Sequence, residues 1–398
     1  MVLTPLKDIR VLDISNGIAG SYCSSLLAEY GADVIKVEPP VIGDPTRELG
    51  PFPSNITDAE RSGLFIHLNS NKKGITLNIH SDTGAELFRQ LAKTSDVIVE
   101  SFNPGYLQSL GLGYDDLEAL NPGLVMTSIT PFGQFGPYKD YKATDFGLFA
   151  MSGRMYVHGL ANDSPLAYGP DVIWYQIGTT AAAATMSGIF SSFGYGVGQQ
   201  IDLSCLEALT ANVDNRILFF DYTGKITPRT RWPGGLPQGA YPCADGYMIF
   251  GVGYDRYFRR LCDAMCMSWI YSDPRWANYT SRTNNSEEFE IIFLQWLLSK
   301  TRNEIFRICQ SNRVMCAPLL SFEELIQDDQ LSARGFFSRL QHQTIGDYPT
   351  MGPPFVLSHT PARIKESSPV LGEHNRIVYA ELGYTDQQLF EFRAAGIL

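Results

Sequence analysis

The sequence predicts an α/β protein built on a parallel, Rossmann-like sheet. Short apolar segments such as "RVLDIS", "ADVIKVE" and "DVIVES" alternate in the first half with helical segments such as "SDTGAELFRQLAKT". Strands separated by helices of this length pair in parallel through right-handed crossovers. The chain has 398 residues, which is too many for one ordinary core, so a second domain is expected.

The order of elements along the chain supports this fold class. The strand "RVLDIS" is followed by the loop "SNGIAG", by a helix that Gly31 ends, and by the strand "ADVIKVE". A long helix is predicted over residues 174–193, and its centre, "GTTAAAATMSG", is nearly all small residues, so another backbone must approach it closely. Residues 225–330 begin rich in Gly and Pro and then become helical, which indicates a smaller second domain. Thr385 is the predicted N-cap of a last short helix, with Gln388 as its capping-box partner.

Composition argues against several classes of partner. The formal net charge is −11, and charged residues make up 18% of the chain against 44% hydrophobic residues. Nucleic acids and anionic membrane surfaces both require a basic face, so neither is an expected partner. The sequence has no apolar run of about 18 residues, and its start, "MVLTPLKDIRVLD", does not resemble a signal peptide. We therefore expect a cytoplasmic protein.

The seven cysteines are expected to be buried, reduced thiols. Their number is odd, and they stand in apolar stretches. Cys262 and Cys266 are predicted to share a helix face. No second pair of ligands with matching spacing occurs, so no metal site is expected.

The loop "SNGIAG" has two interpretations. A glycine loop between a strand and a helix is typical of dinucleotide sites, and Glu38 ends the next strand where a ribose-binding acid would stand. This is the hypothesis of a dinucleotide-dependent oxidoreductase. Gly17 and Gly20 lack the third glycine of that fingerprint, so a tight strand-to-helix turn explains the loop at least as well. The same turn would place any phosphate at a helix N-terminus.

Longer blocks resemble class III CoA-transferases, the family of formyl-CoA transferase and carnitine CoA-transferase. The segment "AGSYCSSLLAEYGADVIKVEPPVIGDPTR" is similar to the family's opening, with its Gly-Ala-x-Val-Ile-Lys-x-Glu and Gly-Asp-x-x-Arg patterns. Further similar blocks are "NSNKKGITLNI", "SDVIVESFNPGYLQSLGLGYDDLEALNPGLVMTSIT", "YPCADGYMIFGVG", "PVLGEHN" and "ELGYTDQQLFEFRAAGIL". Their order and spacing agree with the family over essentially the whole chain.

The resemblance implies a domain organisation and a chemistry. A large Rossmann-like domain would consist of residues 1–222 and a returning C-terminal segment, residues 331–398, with a small α/β domain inserted at residues 223–330. Two chains of the family interlock as a dimer, each threaded through the other. In the family's reaction an aspartate attacks an acyl-CoA thioester and forms a mixed anhydride, so that CoA moves between carboxylic acids. Coenzyme A thioester is then a substrate, and no tightly bound cofactor is expected.

The position of the family's aspartate holds a tryptophan in this chain. In the family the aspartate follows a Pro-x-x-x-Gly segment and precedes a helix glycine by four residues. Pro165, Gly169 and Gly178 match, which places Trp174 at the aspartate position. An indole has no lone pair with which to attack a thioester. Either Trp174 fills a pocket that has lost its chemistry, or the alignment slips and the nearby Asp171 is the nucleophile. Otherwise Asp171 is an acid at a helix N-terminus.

The expected contacts to CoA are also reduced. The family often has basic residues where Pro39, Ser109 and Thr130 stand, and an asparagine where Ser101 stands. Each lost cation removes a partner of the CoA phosphates. The glycine-rich flap of the family is reduced to "WPGGLPQG". Lys72 and Lys73 could bind CoA or could equally well lie in a solvated turn, because exposed lysines are common. The candidates for CoA binding that remain are Gly17, Ile18, Ala19, Lys72, Lys73, Phe102, Pro104 and Gly105.

These observations predict a subunit of a class III CoA-transferase that is not itself catalytic. Its partner would be a homologous catalytic chain in a hetero-oligomer, and its small-molecule partner an acyl-CoA. The resemblance to two-subunit members of the family implies that CoA is transferred from succinyl-CoA to an aryl- or alkyl-substituted succinate. The alternative is an active homodimer that uses Asp171. A racemase of the same superfamily is disfavoured, because "KATDFGLF" lacks the required histidine and His158 lies beyond it.

Overall fold

The structure, a computed structural model of the chain, describes residues 4–160, 162–211, 215–229 and 237–398. The chain divides into two units. The boundaries predicted at residues 222 and 330 stand close to the positions where the units change over, at Thr227 and Ala333. The larger unit comprises the chain up to Gly159, Ser164–Thr227 and Arg334–Leu398, and the smaller unit comprises Leu160–Asp163 and Pro228–Ala333.

A six-stranded parallel sheet lies at the centre of the larger unit. In chain order, the described strands are β1 (Arg10–Asp13), β2 (Asp33–Glu38), β3 (Lys73–Thr76), β4 (Val97–Glu100), β5 (Val125–Thr130), β6 (Gln199–Ser204), β7 (Gln238–Cys243), β8 (Gly246–Gly251), β9 (Cys316–Pro318), β10 (Phe337–His342) and β11 (Gly346–Met351). The first six pair in the order β3-β2-β1-β4-β5-β6. Leu12 of β1 lies opposite Ile35 of β2 and Ile98 of β4. This order is that of a doubly wound Rossmann sheet and confirms the predicted fold class.

Helices cover the sheet and build the smaller unit. The described α-helices are α1 (Ile18–Glu29), α2 (Gly63–Asn69), α3 (Asp82–Lys93), α4 (Tyr106–Ser109), α5 (Tyr114–Glu118), α6 (Asp145–Met151), α7 (Val172–Tyr195), α8 (Cys205–Ala211), α9 (Arg216–Thr223), α10 (Asp255–Ala264), α11 (Tyr279–Asn284), α12 (Ser286–Leu298), α13 (Arg302–Ser311), α14 (Phe322–Ile326), α15 (Asp329–Ala333), α16 (Asn375–Glu381) and α17 (Asp386–Ala394). Short 3-10 helices span Pro45–Glu48, Pro53–Asn55, Met155–Val157 and Ser268–Ser272.

The central strands are buried on both faces, as their continuous apolar runs predict. Because side chains alternate along a strand, Val11 faces one core and Leu12 the other. The first core contains residues of α1 and α7, and the second contains residues of α3 together with Val378 and Tyr379 from α16. The returning C-terminal segment thus completes the second core of the larger unit.

The small residues of α7 allow the close approach that the sequence predicts. A Cβ atom on Gly178 would lie 2.6 Å from the carbonyl oxygen of Ala19 in α1, and one on Gly188 would lie 2.7 Å from Cγ1 of Val125 in β5. Both separations are shorter than van der Waals contact. Glycine at these two positions lets α7 pack directly on α1 and on the sheet.

The smaller unit has its own core. Strands β7, β8 and β9 form an antiparallel sheet. Aromatic side chains fill the space between this sheet and the helices, with Phe250, Trp276, Phe289 and Phe293 buried together. Phe289 and Phe293 stack at 5.5 Å between ring centroids in α12, so this core depends mainly on aromatic packing.

Several local predictions have clear outcomes. Thr385 caps α17, and Gln388 completes the capping box, as predicted. Gly31 stands two residues after Glu29, the last residue of α1, and has φ of 102°. The prediction that Cys262 and Cys266 share a helix face is wrong, because α10 ends at Ala264 and Cys266 has φ of 59°. Most of the predicted flap, at residues 232–236, lies outside the described residues. None of the helices that the structure describes combines the length and hydropathy of a membrane span.

We predict opposite effects of alanine at two glycines of α7. Gly178→Ala forces its Cβ against the Ala19 carbonyl and should lower the free energy of unfolding by about 1–3 kcal/mol. On the same helix, a Cβ atom added to Gly194 would meet no other atom within 4 Å, so Gly194→Ala should stabilise the protein by about 0.5–1 kcal/mol through helix propensity. Thermal unfolding of both variants measures these changes in stability. Equal effects at the two positions would show that the contact between α1 and α7 is not tight.

Candidate active site

The sheet places two loops side by side at its carboxyl edge. The strand order reverses between β1 and β4, and ligands of doubly wound sheets bind outside the carboxyl ends of strands at such a point. The loop after β1 holds Gly17, and the loop after β4 spans residues 101–105. The predicted CoA-binding residues of both loops therefore flank the switch point.

Gly17 sets the start of α1. It is the N-cap residue, with φ of 79° and ψ of −160°, a conformation that essentially only glycine adopts without strain. It brings no side chain to cap the helix, so the first-turn amides of Ile18 and Ala19 need other partners. Backbone N–H groups at a helix N-terminus suit a phosphate or carboxylate.

Ser101 connects the two loops across the switch point. Its hydroxyl accepts a hydrogen bond from the Asn16 amide at 2.8 Å, and Ser101 Oγ lies 3.2 Å from the Asn16 carbonyl oxygen, to which it donates. Glu100, the last residue of β4, accepts a hydrogen bond from the Phe102 amide at 2.7 Å. Phe102 stacks on Tyr106 at 4.8 Å between ring centroids. The loop carrying Phe102, Pro104 and Gly105 is therefore fixed at both ends.

Trp174 stands in the first turn of α7. It is the third residue of the helix, and its amide donates to the Asp171 carbonyl at 3.0 Å. It lies one helical turn before Gly178, on the face that meets α1. The indole is half-buried and packs against the core cluster that contains Ala19. The nucleophile position inferred from the family pattern thus lies in the first turn of the helix that packs on α1 at Gly178, and it holds a half-buried aromatic side chain.

Asp171 has a different geometry from the residue at position 174. It is the N-cap of α7 with φ of 65°, and its carboxylate makes no capping hydrogen bond. A positive φ is uncommon for a residue with a side chain, although Asp tolerates it better than most. Asp171 therefore precedes the helix, whereas Trp174 projects from it.

Tyr175, the residue after Trp174, lies close to two further polar rings. Tyr175 packs edge-on against Tyr22 of α1 at 4.9 Å between centroids, and His67 of α2 lies 6.1 Å from Tyr175. Burial raises the pKa of Tyr175 to about 12, with the Asp171 carboxylate adding to the effect. Burial lowers the pKa of His67. Near neutral pH these rings are therefore neutral hydrogen-bonding groups.

A buried cluster of charges lies beneath the glycine loop. Asp13, the last residue of β1, contacts Lys36 at 3.4 Å and Lys72 at 3.0 Å, and all three side chains are fully buried. Burial alone would raise the pKa of Asp13, but the two ammonium groups outweigh it and hold that pKa well below its usual range. Asp13 also accepts from Ser15 and Ser24, both at 2.6 Å. The carboxylate thereby holds the end of β1 and the body of α1 together.

Neither of the predicted lysines has a free ammonium group. Lys72 donates to Asp13 and to the Ser21 carbonyl at 2.8 Å, so the alternative of a solvated turn is wrong for it. Lys73 pairs at 2.7 Å with Asp33, the first residue of β2, towards the amino ends of the strands. A contact from either lysine to CoA stays a prediction, and it would require these pairs to break.

The family's Gly-Asp-x-x-Arg pattern forms a second buried ion network. Arg47 binds Glu38 with two nitrogens, at 2.7 and 2.9 Å, and lies over the ring of Phe65 at 3.6 Å. Asp44 pairs with Lys36 at 2.8 Å. Sequence reasoning missed the structural role of these residues, although the signal was present in the pattern itself. Since Arg47 occupies both carboxylate oxygens of Glu38, that carboxylate is not open to a ribose.

The positions where the family's basic residues are missing have ordinary local roles. Pro39 is exposed directly after β2. Ser109 donates to the Tyr106 carbonyl at 2.7 Å within α4. Thr130 is buried and accepts from the Gly133 amide at 2.9 Å. None of these three side chains carries a positive charge to a phosphate. Within the described part of the chain, no group of three or more His, Cys, Asp or Glu is arranged to hold a metal ion.

Comparison with known proteins identifies the family. The model of CoA-transferase family III matches residues 6–375. The chain belongs to this family. Class III CoA-transferases act on CoA thioesters, so a CoA thioester is the substrate class of the family to which this chain belongs. The match, together with the Glu38–Arg47 pair, removes the support for a dinucleotide-dependent oxidoreductase.

The chain is similar to members of the family over nearly its whole length. A succinate–glutarate CoA-transferase from Agrobacterium fabrum is 35% identical over 382 residues, or 95% of this chain and 96% of that protein. The succinyl-CoA:(R)-benzylsuccinate CoA-transferase subunit BbsE from Thauera aromatica is 34% identical over 389 residues, or 94% of this chain and 93% of that protein. A crystal structure of a CAIB/BAIF family protein from Brucella suis matches with a TM-score of 0.85 at 28% identity, over 95% of this chain and 99% of that one.

Glu100 should make stability depend on pH near neutrality. Burial raises the pKa of Glu100 to about 7 from an ordinary 4.5, and the nearby Asp202 adds to it. Between pH 4.5 and pH 7 the Glu100 carboxyl is deprotonated in the unfolded chain but still protonated in the folded protein. The free energy of unfolding should therefore fall as the pH rises from 4.5 to 7, by at most about 3 kcal/mol. Glu100→Gln should remove this part of the pH dependence and stabilise the protein above pH 7.

Urea unfolding from pH 5 to pH 8.5 measures the effect. The control is Glu207→Gln, which changes an exposed carboxylate on α8 and should leave the pH dependence as it is. Burial also raises the pKa of Glu29 to about 7, so the Glu100→Gln protein should keep part of the dependence. The expectation fails if Glu100→Gln and Glu207→Gln give the same profile.

Proposed function

We propose that this chain is the subunit of a class III CoA-transferase that lacks the nucleophilic aspartate. A homologous catalytic chain would be its partner in a cytoplasmic hetero-oligomer. The reaction would move CoA from succinyl-CoA to an aryl- or alkyl-substituted succinate. One observation carries this proposal: Trp174, which stands where the family pattern predicts the nucleophile, lies in the first turn of α7, one turn before Gly178.

The chemistry of the family needs a carboxylate at that position. Only an oxygen nucleophile forms the mixed anhydride, and the indole N–H of Trp174 is a donor alone. A helix N-terminus also favours negative charge, so the first turn of α7 is suited to an aspartate that it does not have. The half-buried indole instead adds to the packing between α7 and the core.

Exposed apolar side chains support the presence of a partner chain. Among the described residues of α9, none is buried, and Leu218 and Phe220 are more than half exposed. Phe190 and Phe193 of α7 are exposed as well. Large apolar side chains exposed in such numbers are typical of a protein–protein interface. The relative BbsE is itself named as a subunit, which agrees with assembly from two kinds of chain.

An active homodimer that uses Asp171 is the second candidate. Its support is the position of Asp171, directly before α7 and close enough to Tyr175 to affect its titration. The succinate–glutarate CoA-transferase relative is named as an enzyme without a subunit. This candidate requires Asp171 to reach the thioester from an N-cap position.

A covalent trap distinguishes the two candidates. The chain is incubated with succinyl-CoA and then with hydroxylamine, and the peptide of residues 165–180 is examined by mass spectrometry. We expect no hydroxamate at Asp171, because the anhydride would form on the sister chain. The Asp171→Asn variant is the matched control for background reaction. A hydroxamate on Asp171 that is absent from Asp171→Asn would establish the homodimer instead.

Replacing the tryptophan tests whether only one residue was lost. Trp174→Asp is combined with a sister chain whose nucleophilic aspartate is changed to alanine, and transferase activity is measured. We expect little activity, because a nucleophile misplaced by about 1 Å loses on the order of a hundredfold in rate. Loss of the half-buried indole should also destabilise the chain by about 1–2 kcal/mol. Trp174→Phe is the control that keeps the apolar packing. Near wild-type activity of the Trp174→Asp pair would show that this pocket is complete apart from its nucleophile.

A further inference from the structure

The loop between β1 and α1 contains Asn16 followed by Gly17, the one Asn-Gly pair in the sequence of 398 residues. Asn16 is exposed, and Gly17 is the N-cap residue of α1 with φ of 79°. A Cβ atom added to Gly17 would meet no other atom within 4 Å. The space beside this peptide is therefore open enough for a small ring to form on it.

The backbone of Asn16 is held in place, whereas its side chain is not. Ser101 Oγ accepts a hydrogen bond from the Asn16 amide at 2.8 Å and donates one to the Asn16 carbonyl oxygen at 3.2 Å. Both peptide groups that flank Asn16 thus contact one hydroxyl of the loop after β4. Among the residues that the structure describes, none forms a hydrogen bond with the Asn16 side-chain amide. The side chain can therefore move towards Gly17, within the limits that Ser101 sets on the backbone.

We propose that Asn16 is a site of spontaneous deamidation whose rate Ser101 limits. The backbone nitrogen of Gly17 attacks the side-chain carbonyl carbon of Asn16, a C–N bond forms, and ammonia leaves with the proton that the nitrogen gives up. Water then opens the resulting succinimide ring at one of its two carbonyl carbons. One water is consumed and one ammonia is released, and no oxidant or reductant takes part.

Glycine at position 17 makes this asparagine more reactive than the others. A residue with a Cβ atom would crowd the attacking nitrogen, and glycine also reaches backbone conformations that other residues avoid. Asn55 provides the contrast, because it is exposed as well but precedes the β-branched Ile56. We therefore expect Asn16 to react well before Asn55.

Both products place a negative charge directly before α1. If the ring opens at the side-chain carbonyl, position 16 becomes an aspartate. If it opens at the main-chain carbonyl, position 16 becomes an isoaspartate, whose main chain is longer by one methylene. The oxygen to which Ser101 donates then belongs to a free carboxylate. A fixed anion at this place would oppose a phosphate group at the same helix start. The modification itself depends neither on Trp174 nor on transferase activity.

Peptide mass spectrometry of the wild-type chain during incubation at mildly alkaline pH tests the proposal. We expect two products at Asn16, each heavier than the starting peptide by the difference between a hydroxyl and an amino group. One of them should accept a methyl group from an isoaspartate methyltransferase. Asn55 is the internal control, and Asn16→Gln should remove both products, because the longer side chain cyclises far more slowly. Deamidation of Asn16 no faster than that of Asn55 would overturn the proposal.

A second variant tests the part played by Ser101. Ser101→Ala should deamidate at Asn16 about fivefold faster, since the loss of one ordinary hydrogen bond raises the population of open backbone by about this factor. Ser109→Ala is the matched control, because Ser109 donates to the Tyr106 carbonyl within α4, and it should react at the wild-type rate. Equal rates in both variants would show that Ser101 does not limit the reaction. Because the products are measured in the wild-type chain, failure of Ser101→Ala to fold leaves the main result decisive.

Discussion

The structure depends most on the buried carboxylate of Asp13. It lies between Lys36 and Lys72, and it also accepts hydrogen bonds from Ser15 and Ser24. A buried ion pair contributes little net stability compared with apolar packing, but loss of one partner leaves uncompensated charge and costs about 3–5 kcal/mol. Here one carboxylate contacts two ammonium groups, and one of them, that of Lys36, also pairs with Asp44. The end of β1, the body of α1 and the residue before β3 are therefore fixed relative to one another.

Arg47 extends this network to the returning C-terminal segment. Its guanidinium binds Glu38 and also the Pro369 carbonyl at 3.2 Å. Nearby, Asn375 donates to Thr76 at 2.8 Å, and Tyr379 donates to the Thr76 carbonyl at 2.9 Å. The last part of the chain is thus joined to β3 by polar contacts over a buried surface. Because unpaired polar groups in such a place are costly, the segment has one well-defined position on the sheet.

Local patterns were sufficient to predict the elements of the fold but not its charge network. The apolar runs around Leu12 and Ile98 identify strands because burial on both faces leaves no other interpretation for them. Lys72, in contrast, fitted a solvated turn and a contact to CoA equally well, since its partner Asp13 is 59 residues away in sequence. Nothing within a short window shows that two lysines and a carboxylate meet.

The candidate site combines two sets of residues with separate requirements. Gly17, Asp13 and Gly178 are needed for α1 to start where it does and for α7 to approach it, whatever reaction follows. A nucleophile at position 174 is needed only for the anhydride. Since no contact of the Asp13 network includes Trp174 among the described residues, the nucleophile could be lost without loss of the fold. Under the proposed function, the first turn of α7 carries an indole where the family pattern has a carboxylate, while the network of buried charge is intact. A chain retained for assembly with a catalytic partner would have this arrangement.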